Sequence, residues 1–238
     1  MTFTVVARCS RTGQIGIGIA TYSIGVGLYC NGLRSNAGAT MTQAFVNQGN
    51  NPLALRLLAQ GFTPAQVLKE LSANDPHVEY RQIAVIDREG RVAAYSGAKN
   101  RGYSGHKVGD GYVAMGNVLA GPHVVDAMAK GYEAAAGLSF ERRLLAAIEA
   151  GRDSGGQAGN DGHLTERSAA VMVYGDYDHA ELDLRVDLHD TAVEELRRAF
   201  EEYELYRGYY KERSKNPKDA MPQFAFAASL AKKQEAAQ

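Results

Sequence analysis

The sequence predicts an α+β protein in which two antiparallel sheets stack face to face and carry helices on their outer sides. Three observations predict it. Strand and helix signals come in pairs rather than in βαβ alternation: ββ, αα, ββ with a further β, αα, ββ, then α. Residues 14–20 alternate strictly, with Ile15, Ile17 and Ile19 on one face and Gly16 and Gly18 on the other, as in a strand that something approaches closely. Residues 167–174 form a continuous apolar run, read as a strand covered on both faces.

The elements follow in order. Phe3 to Ala7 is dense in β-branched residues and reads as a first strand, turned at Arg11-Thr12-Gly13 into the alternating one. Residues 22–38 are turn-rich and read as a loop with short strands, followed by a strand at 39–45. Asn51-Pro52 opens a helix that Gly61 closes, and Thr63-Pro64-Ala65-Gln66 is a capping box with proline at the first helical position. Arg81–Ile86 and Val92–Tyr95 make a hairpin around Asp87-Arg88-Glu89-Gly90. The stretch 97–121 is glycine-rich with a strand at 112–115. Two helices follow, one over 122–135 and one capped by Ser139. Residues 151–166 read as a polar loop. After the apolar strand, Leu182, Leu184, Val186 and Leu188 alternate with polar residues, and Asp190-Thr191 caps a last helix to about Tyr209. This gives one domain over residues 1–210 and a polar tail over 211–238.

Composition narrows the function classes. With 26 Lys and Arg against 27 Asp and Glu in 238 residues, the net charge is −1, which argues against nucleic acid as a partner. Apolar runs are too short to cross a bilayer, the first residues lack the build of a signal peptide, and Cys9 and Cys30 make no disulfide framework. A cytoplasmic protein with reduced thiols is expected, without membrane contact. The histidines show no metal spacing and no dinucleotide or P-loop motif stands in proper context, so neither metal nor cofactor is expected.

Few residues carry chemistry. Thr2 follows the initiator Met and is small enough for Met1 to be removed. That would leave a hydroxyl beside its own α-amine, whose pKa near 7.7–8.0 suits a base. Many chains begin Met-Thr, so an ordinary strand threonine is the competing reading. His106 lies in a glycine-rich loop, where a catalytic and a hydrogen-bonding role both fit. Thr42, Gln43 and Asn47 precede a helix; their polar groups serve either a substrate or the helix cap.

Several stretches resemble the DUF1028 family: the opening TFTVVAR, Thr12-Gly13, the run from Gly38 to Asn47, Tyr95-Ser96-Gly97, Gly105-His106 with Gly109 to Tyr112, Gly116-Asn117, Leu119-Ala120-Gly121, and Leu184 to His189 followed by Glu195-Leu196-Arg197-Arg198. The resemblance covers about residues 2–205. It implies an αββα sandwich like that of N-terminal-nucleophile (Ntn) hydrolases. It also implies an amidohydrolase acting on a small amide or peptide-like bond, with Thr2 as nucleophile. Gln43 and Asn117 would be amides for the oxyanion or substrate, His106 a further catalytic residue, and Thr42, Asn47, Gly97 and Ser168 substrate contacts. The sequence departs from the family at Cys9, where an acidic residue is usual, and in a longer segment before Ser168. A non-catalytic ligand-binding or assembly protein on the same fold is the alternative. Tyr203, Tyr206, Tyr209 and Tyr210 form a stripe on the last helix, and Phe224–Leu230 is a second apolar patch. A homo-oligomer through the region after residue 200 is therefore expected.

Overall fold

The strict alternation of Ile15, Ile17 and Ile19 with Gly16 and Gly18 becomes the middle of a sheet, and its two faces meet different layers. A computed structural model of the chain describes residues 1–235. Its strands are β1 (Thr2–Arg8), β2 (Ile15–Thr21), β3 (Asn31–Arg34), β4 (Gly38–Ala44), β5 (Arg81–Asp87), β6 (Val92–Ser96), β7 (Tyr103–Gly109), β8 (Tyr112–Leu119), β9 (Gln157–Gly159), β10 (Gly162–Leu164), β11 (Ser168–Tyr174) and β12 (Ala180–Val186). Its α-helices are α1 (Asn50–Ala59), α2 (Pro64–Asn74), α3 (Pro122–Ala134), α4 (Phe140–Asp153), α5 (Ala192–Lys215) and α6 (Gln223–Glu235).

One sheet has the order β10-β9-β8-β1-β2-β11-β12, with β7 also paired to β8; the other has the order β3-β4-β5-β6. All pairings are antiparallel. Between the sheets lie Val6, Ile17, Ile19, Met41, Ala84, Ile86, Met115 and Met172, all buried. Helices α1 and α2 cover the smaller sheet through Ala54, Leu58, Val67 and Leu71 against Ile83 and Val85. Helix α4 covers the larger sheet. A Cβ on Gly16 would come within 2.7 Å of Leu144 Cδ1, and one on Gly18 within 2.9 Å of the Leu144 carbonyl oxygen. The bare face of β2 thus admits a helix, the ordinary use of a strand glycine. The result is the expected αββα layering.

The helix starts are where the capping residues lie. Thr63 accepts from the Gln66 N–H while its own N–H donates to Gln66 Oε1 at 2.9 Å. Ser139 accepts from the Arg142 N–H. Three segments differ from the sequence reading. The glycine-rich stretch after residue 97 holds a strand, β7, and β8 runs on to Leu119. The polar loop 151–166 folds as the β9–β10 hairpin. The segment expected as a polar tail is helical: α5 reaches Lys215, and α6 follows. Among the described residues of β7, β9, β10 and α6 only Gln157 is buried, so an apolar period hardly shows there, whereas β8 is buried almost throughout.

The chain divides into two compact units, residues 1–197 and 198–238. In the second, α6 packs on the tyrosine stripe. Phe226 stacks on Tyr209 with ring centroids 4.2 Å apart and meets Tyr206 edge-on at 5.5 Å. The Tyr209 hydroxyl donates to the Met221 carbonyl at 2.8 Å. The apolar patch expected to seek the body or a neighbour therefore finds a partner on its own helical hairpin. Among the described residues, no helix is long and apolar enough to cross a membrane.

Candidate active site at the start of β1

Side chains two apart on a strand share a face. Because Val6, Ile19, Met41, Ala84, Met115 and Ala170 face the inter-sheet layer, so do Thr2 and Thr4, Thr21, Gln43, Gln82, Asn117 and Ser168. Register aligns them: Thr2 opposite Asn117, Thr21 opposite Ser168, and Gln43 opposite Gln82, which in turn faces Ser96. One end of the layer is thus lined by hydroxyls and amides where the rest is aliphatic. Thr2, Thr4, Thr21, Gln43, Gln82, Asn117 and Ser168 are all buried.

Buried polar groups need partners, and these have them. The Thr4 hydroxyl donates to Gln43 Oε1 at 2.7 Å. Gln43 Nε2 and Asn117 Nδ2 both donate to Gln82 Oε1, at 2.7 and 3.1 Å. Gln82 Nε2 faces the Ser96 hydroxyl at 2.8 Å and the carbonyls of Gly105 and Gly116 at 3.0 and 2.9 Å. Ser96 Oγ lies 3.0 Å from His106 Nδ1. Gln82 is therefore the hub of a chain that runs from Thr4 and Asn117 to His106. Burial lowers the His106 pKa and favours the neutral ring.

At the head of the row, the hydroxyls of Thr2 and Thr21 both donate to the Met1 carbonyl oxygen. The two hydroxyl oxygens are 3.3 Å apart. No side chain in this row carries a charge, so a proton leaving Thr2 Oγ must go to an α-amine or to water. With Met1 in place, the α-amine is that of Met1. Burial lowers its pKa, and the nearby Cys30 acts weakly in the opposite sense. Cys30 itself is pushed up to about 12 by burial and stays a thiol. Cys9 lies just past the far end of β1. Burial raises its pKa, but Thr12 and Arg11 outweigh that and lower it.

The remaining expected site residues divide. Ser168 joins the row: its hydroxyl donates to the Ser23 carbonyl at 2.8 Å and accepts from the Val26 N–H at 3.1 Å. Thr42 faces the other side of its sheet, towards α1, with its hydroxyl on Asn51 Oδ1 at 3.4 Å. Asn47 donates to Asp75 Oδ2 at 3.0 Å and caps the Gly49 N–H. Gly97 packs on the Glu79 backbone, where a Cβ would come within 2.3 Å of a carbonyl oxygen. Thr42 holds β4 to α1, Asn47 and Gly97 shape loops around the smaller sheet, and the three do not converge on Thr2.

Thr4, Thr21, Gln82 and Ser96 were missed in the sequence, although alternation pointed to two of them. Thr21 continues Ile15-Ile17-Ile19, and Gln82 precedes Ala84-Ile86 on the same face. A second buried group adjoins the row. Gln157 Oε1 accepts from the Tyr22 N–H at 3.2 Å, while its Nε2 approaches Glu166 Oε1 at 3.5 Å. Burial raises the Glu166 pKa. Beside Thr2 opens a cleft of about 420 Å³, lined by Met1, Ala44, Phe45, Arg101, Asn117, Val118 and Leu164 among others. Among the described residues, no group of three His, Cys, Asp or Glu is placed to hold a metal ion.

No curated protein matches the chain. The crystal structure of protein SPO2555 from Silicibacter pomeroyi, described as DUF1028, is similar at a TM-score of 0.77 and 30% identity, over 84% of this chain and 85% of that one. Eukaryotic HslV from Trypanosoma brucei is remote, at a TM-score of 0.37 and 11% identity over 72% of this chain and 98% of its own. Anbu (ancestral beta-subunit) from Yersinia bercovieri is equally remote, at 0.38 and 13% over 85% and 95%. The model of a family of unknown function, DUF1028, matches residues 2–196. A match over that much of the chain makes it a member of the DUF1028 family.

Proposed function

We propose that the protein is an Ntn-type amidohydrolase that cleaves a small amide or peptide-like bond with Thr2 as nucleophile, once Met1 has been removed. One observation carries the reading: a carbonyl oxygen, that of Met1, is already held between the Thr2 and Thr21 hydroxyls. A substrate carbonyl in that position would meet the nucleophile and a donor for its developing negative charge together.

The steps follow from the groups present. The free α-amine of Thr2 takes the Oγ proton as Oγ attacks the amide carbon. The C–Oγ bond forms, Thr21 Oγ donates to the oxyanion, and Asn117 can add its second amide hydrogen. As the tetrahedral intermediate collapses, the C–N bond breaks and the α-ammonium gives its proton to the leaving amine. Water, deprotonated by the same amine, then releases the acyl group as a carboxylic acid. Gln43 acts indirectly, since it positions Thr4 and Gln82. His106 sits two hydrogen bonds beyond the row and sets the Ser96 hydroxyl.

Intact-mass measurement on native protein, followed by an acyl-amide screen, tests this. The expected result is a chain that begins at Thr2 and releases acid. Met1 retained in essentially all molecules would end the Thr2 mechanism. Oligomerisation through residues after 200 now rests on narrower ground, the outer side of the hairpin, where Phe224 is 80% and Leu205 42% exposed. Light scattering on the full chain and on one ending at Arg197 tests it, and a monomer at micromolar concentration in the full chain would refute it.

A further inference from the structure

The cleft beside Thr2 is marked twice by its backbone. Among the described residues, three that are not glycine have positive φ, and two of them, Ala44 at 71° and Val118 at 55°, line this cleft. A β-branched residue adopts such a φ only where its surroundings force it, and backbone strain of this kind concentrates where a fold presents a ligand surface. Ala44 ends β4 and Val118 is next to last in β8, so the strain lies where both sheets terminate around Thr2.

The cleft also has a charge character. Arg101 is the one charged side chain of its lining. The Arg101 guanidinium lies 5.3 Å from the centroid of the Phe45 ring, Phe45 meets Tyr80 edge-on at 5.7 Å, and Lys99 Nζ lies 5.4 Å from the Tyr80 ring. The Phe45–Tyr80 pair therefore carries two cations, of which Arg101 lines the cleft. Among the described residues no carboxylate forms an ion pair with either, while the acids nearby are committed elsewhere. Asp75 is paired with Arg81 at 2.9 Å. Glu79 accepts from the Tyr95 hydroxyl at 2.5 Å and the Ala98 N–H at 2.9 Å. Lys99 still feels the charge of Glu79, which leaves Arg101 as the principal anchor. A guanidinium over the face of an aromatic ring leaves its fork of N–H donors for a planar carboxylate.

Met1 indicates how a substrate lies. Its carbonyl carbon is bonded to the Thr2 nitrogen and its oxygen accepts from the Thr2 hydroxyl, so its side chain traces the place of the acyl half. Alongside it are the apolar Ala44, Phe45, Val118 and Leu164. The cationic rim is left to the amine half.

Resting on the amidohydrolase reading above, we propose that the cleft takes an anionic amide: an apolar acyl group about the size of a methionine side chain, joined to an amine that carries a carboxylate, the chemistry of an N-acyl amino acid. Arg101 binds the carboxylate, with Lys99 adding to the field.

The test uses the full chain with Thr2 at its N-terminus, confirmed by mass. Release of hexanoate is followed from N-hexanoyl-L-phenylalanine and from its neutral analogue, N-hexanoyl-L-phenylalaninamide. The acid is expected to have a kcat/KM about tenfold higher than the amide, chiefly through a lower KM and more so at low salt. Arg101→Gln is expected to bring the ratio near one, and Arg101→Lys to keep part of it. Equal kcat/KM for the two compounds with Arg101 intact overturns the proposal. If neither is hydrolysed, the hydrolase reading fails for this acyl group, and calorimetry on the Thr2→Ala chain judges the subsite separately. Tighter binding of the acid than of the amide, by about tenfold and lost on adding Arg101→Gln, supports it; equal binding overturns it.

Discussion

The two ends of the inter-sheet layer are built from the same strands, equally buried, with opposite chemistry. Strand β1 supplies Val6 at one end and Thr4 and Thr2 at the other; β2 supplies Ile15, Ile17 and Ile19, then Thr21. The same change occurs from Met41 to Gln43, Ala84 to Gln82, Met115 to Asn117 and Ala170 to Ser168. Aliphatic residues would serve stability better at these positions, because a buried amide or hydroxyl contributes little net energy when satisfied and costs much when it is not. Six strands switching to polar residues at one end is therefore a feature that folding alone does not explain. It coincides with the place where the Thr2 and Thr21 hydroxyls both donate to the Met1 carbonyl oxygen.

The largest expected effect separates chemistry from scaffold. Thr2→Ala should lower the turnover of any amide substrate by about 10³-fold or more, as removal of a nucleophile does. Its urea unfolding midpoint should hardly move, since an alanine keeps the backbone pairing with Asn117. Turnover retained in Thr2→Ala would mean that the polar end is not an Ntn site.

Next comes the hub. Gln82→Leu keeps the volume roughly and removes the acceptor shared by Gln43 and Asn117, along with the donor to Ser96. Two buried donors lose their partner at once, so a loss of about 3 kcal/mol is expected from urea titration. A loss under about 1 kcal/mol would show that the network is not what holds the polar end together.

A smaller effect lies at the C-terminal end of α2. Asp75 is buried; burial would raise its pKa, but Arg81, Asn47 and the His77 N–H outweigh that and bring the carboxyl down to about 2. A folded pKa below the unfolded value near 3.9 gives stability that is present above pH 4 and lost as the pH falls towards 2. Asp75→Asn should cost about 2 kcal/mol at pH 7, and the gap to the parent chain should shrink over that acid window. A gap constant from pH 6 to 2.5 would rule out the ionised pair as its source.

Much of this was legible in the chain. Period-two alternation located β2 and β12, β-branched density located β1, a continuous apolar run located β11, capping residues located α2 and α4, and paired elements gave the layering. What alternation could not supply was which strands meet. Gln43 and Gln82 are 39 residues apart in sequence and Thr4 and Gln43 also 39, so their network exists only through sheet topology. Thr42 and Asn47 looked like site residues because they flank Gln43. A strand turns neighbours to opposite faces, and a loop carried Asn47 to Asp75 instead. Cleft residues such as Val118 and Arg101 gave no sequence signal, since a backbone dihedral and an unpaired cation leave no pattern.

The smallest effect tests the aliphatic side of the comparison. Ile17 is fully buried, faces the inter-sheet layer and pairs with Met172 on β11. Ile17→Val removes one methylene from a packed interior, which costs about 1 kcal/mol in lost transfer energy and unfilled volume. No hydrogen bond changes, and no residue of the polar row is within the same strand pairing position. The unfolding free energy should therefore fall by that amount while kcat and KM for an amide substrate stay unchanged. A drop in turnover larger than the stability loss would mean that packing in the aliphatic rows sets the geometry of Thr2 and Thr21, and the two ends would then have to be treated as one cooperative layer.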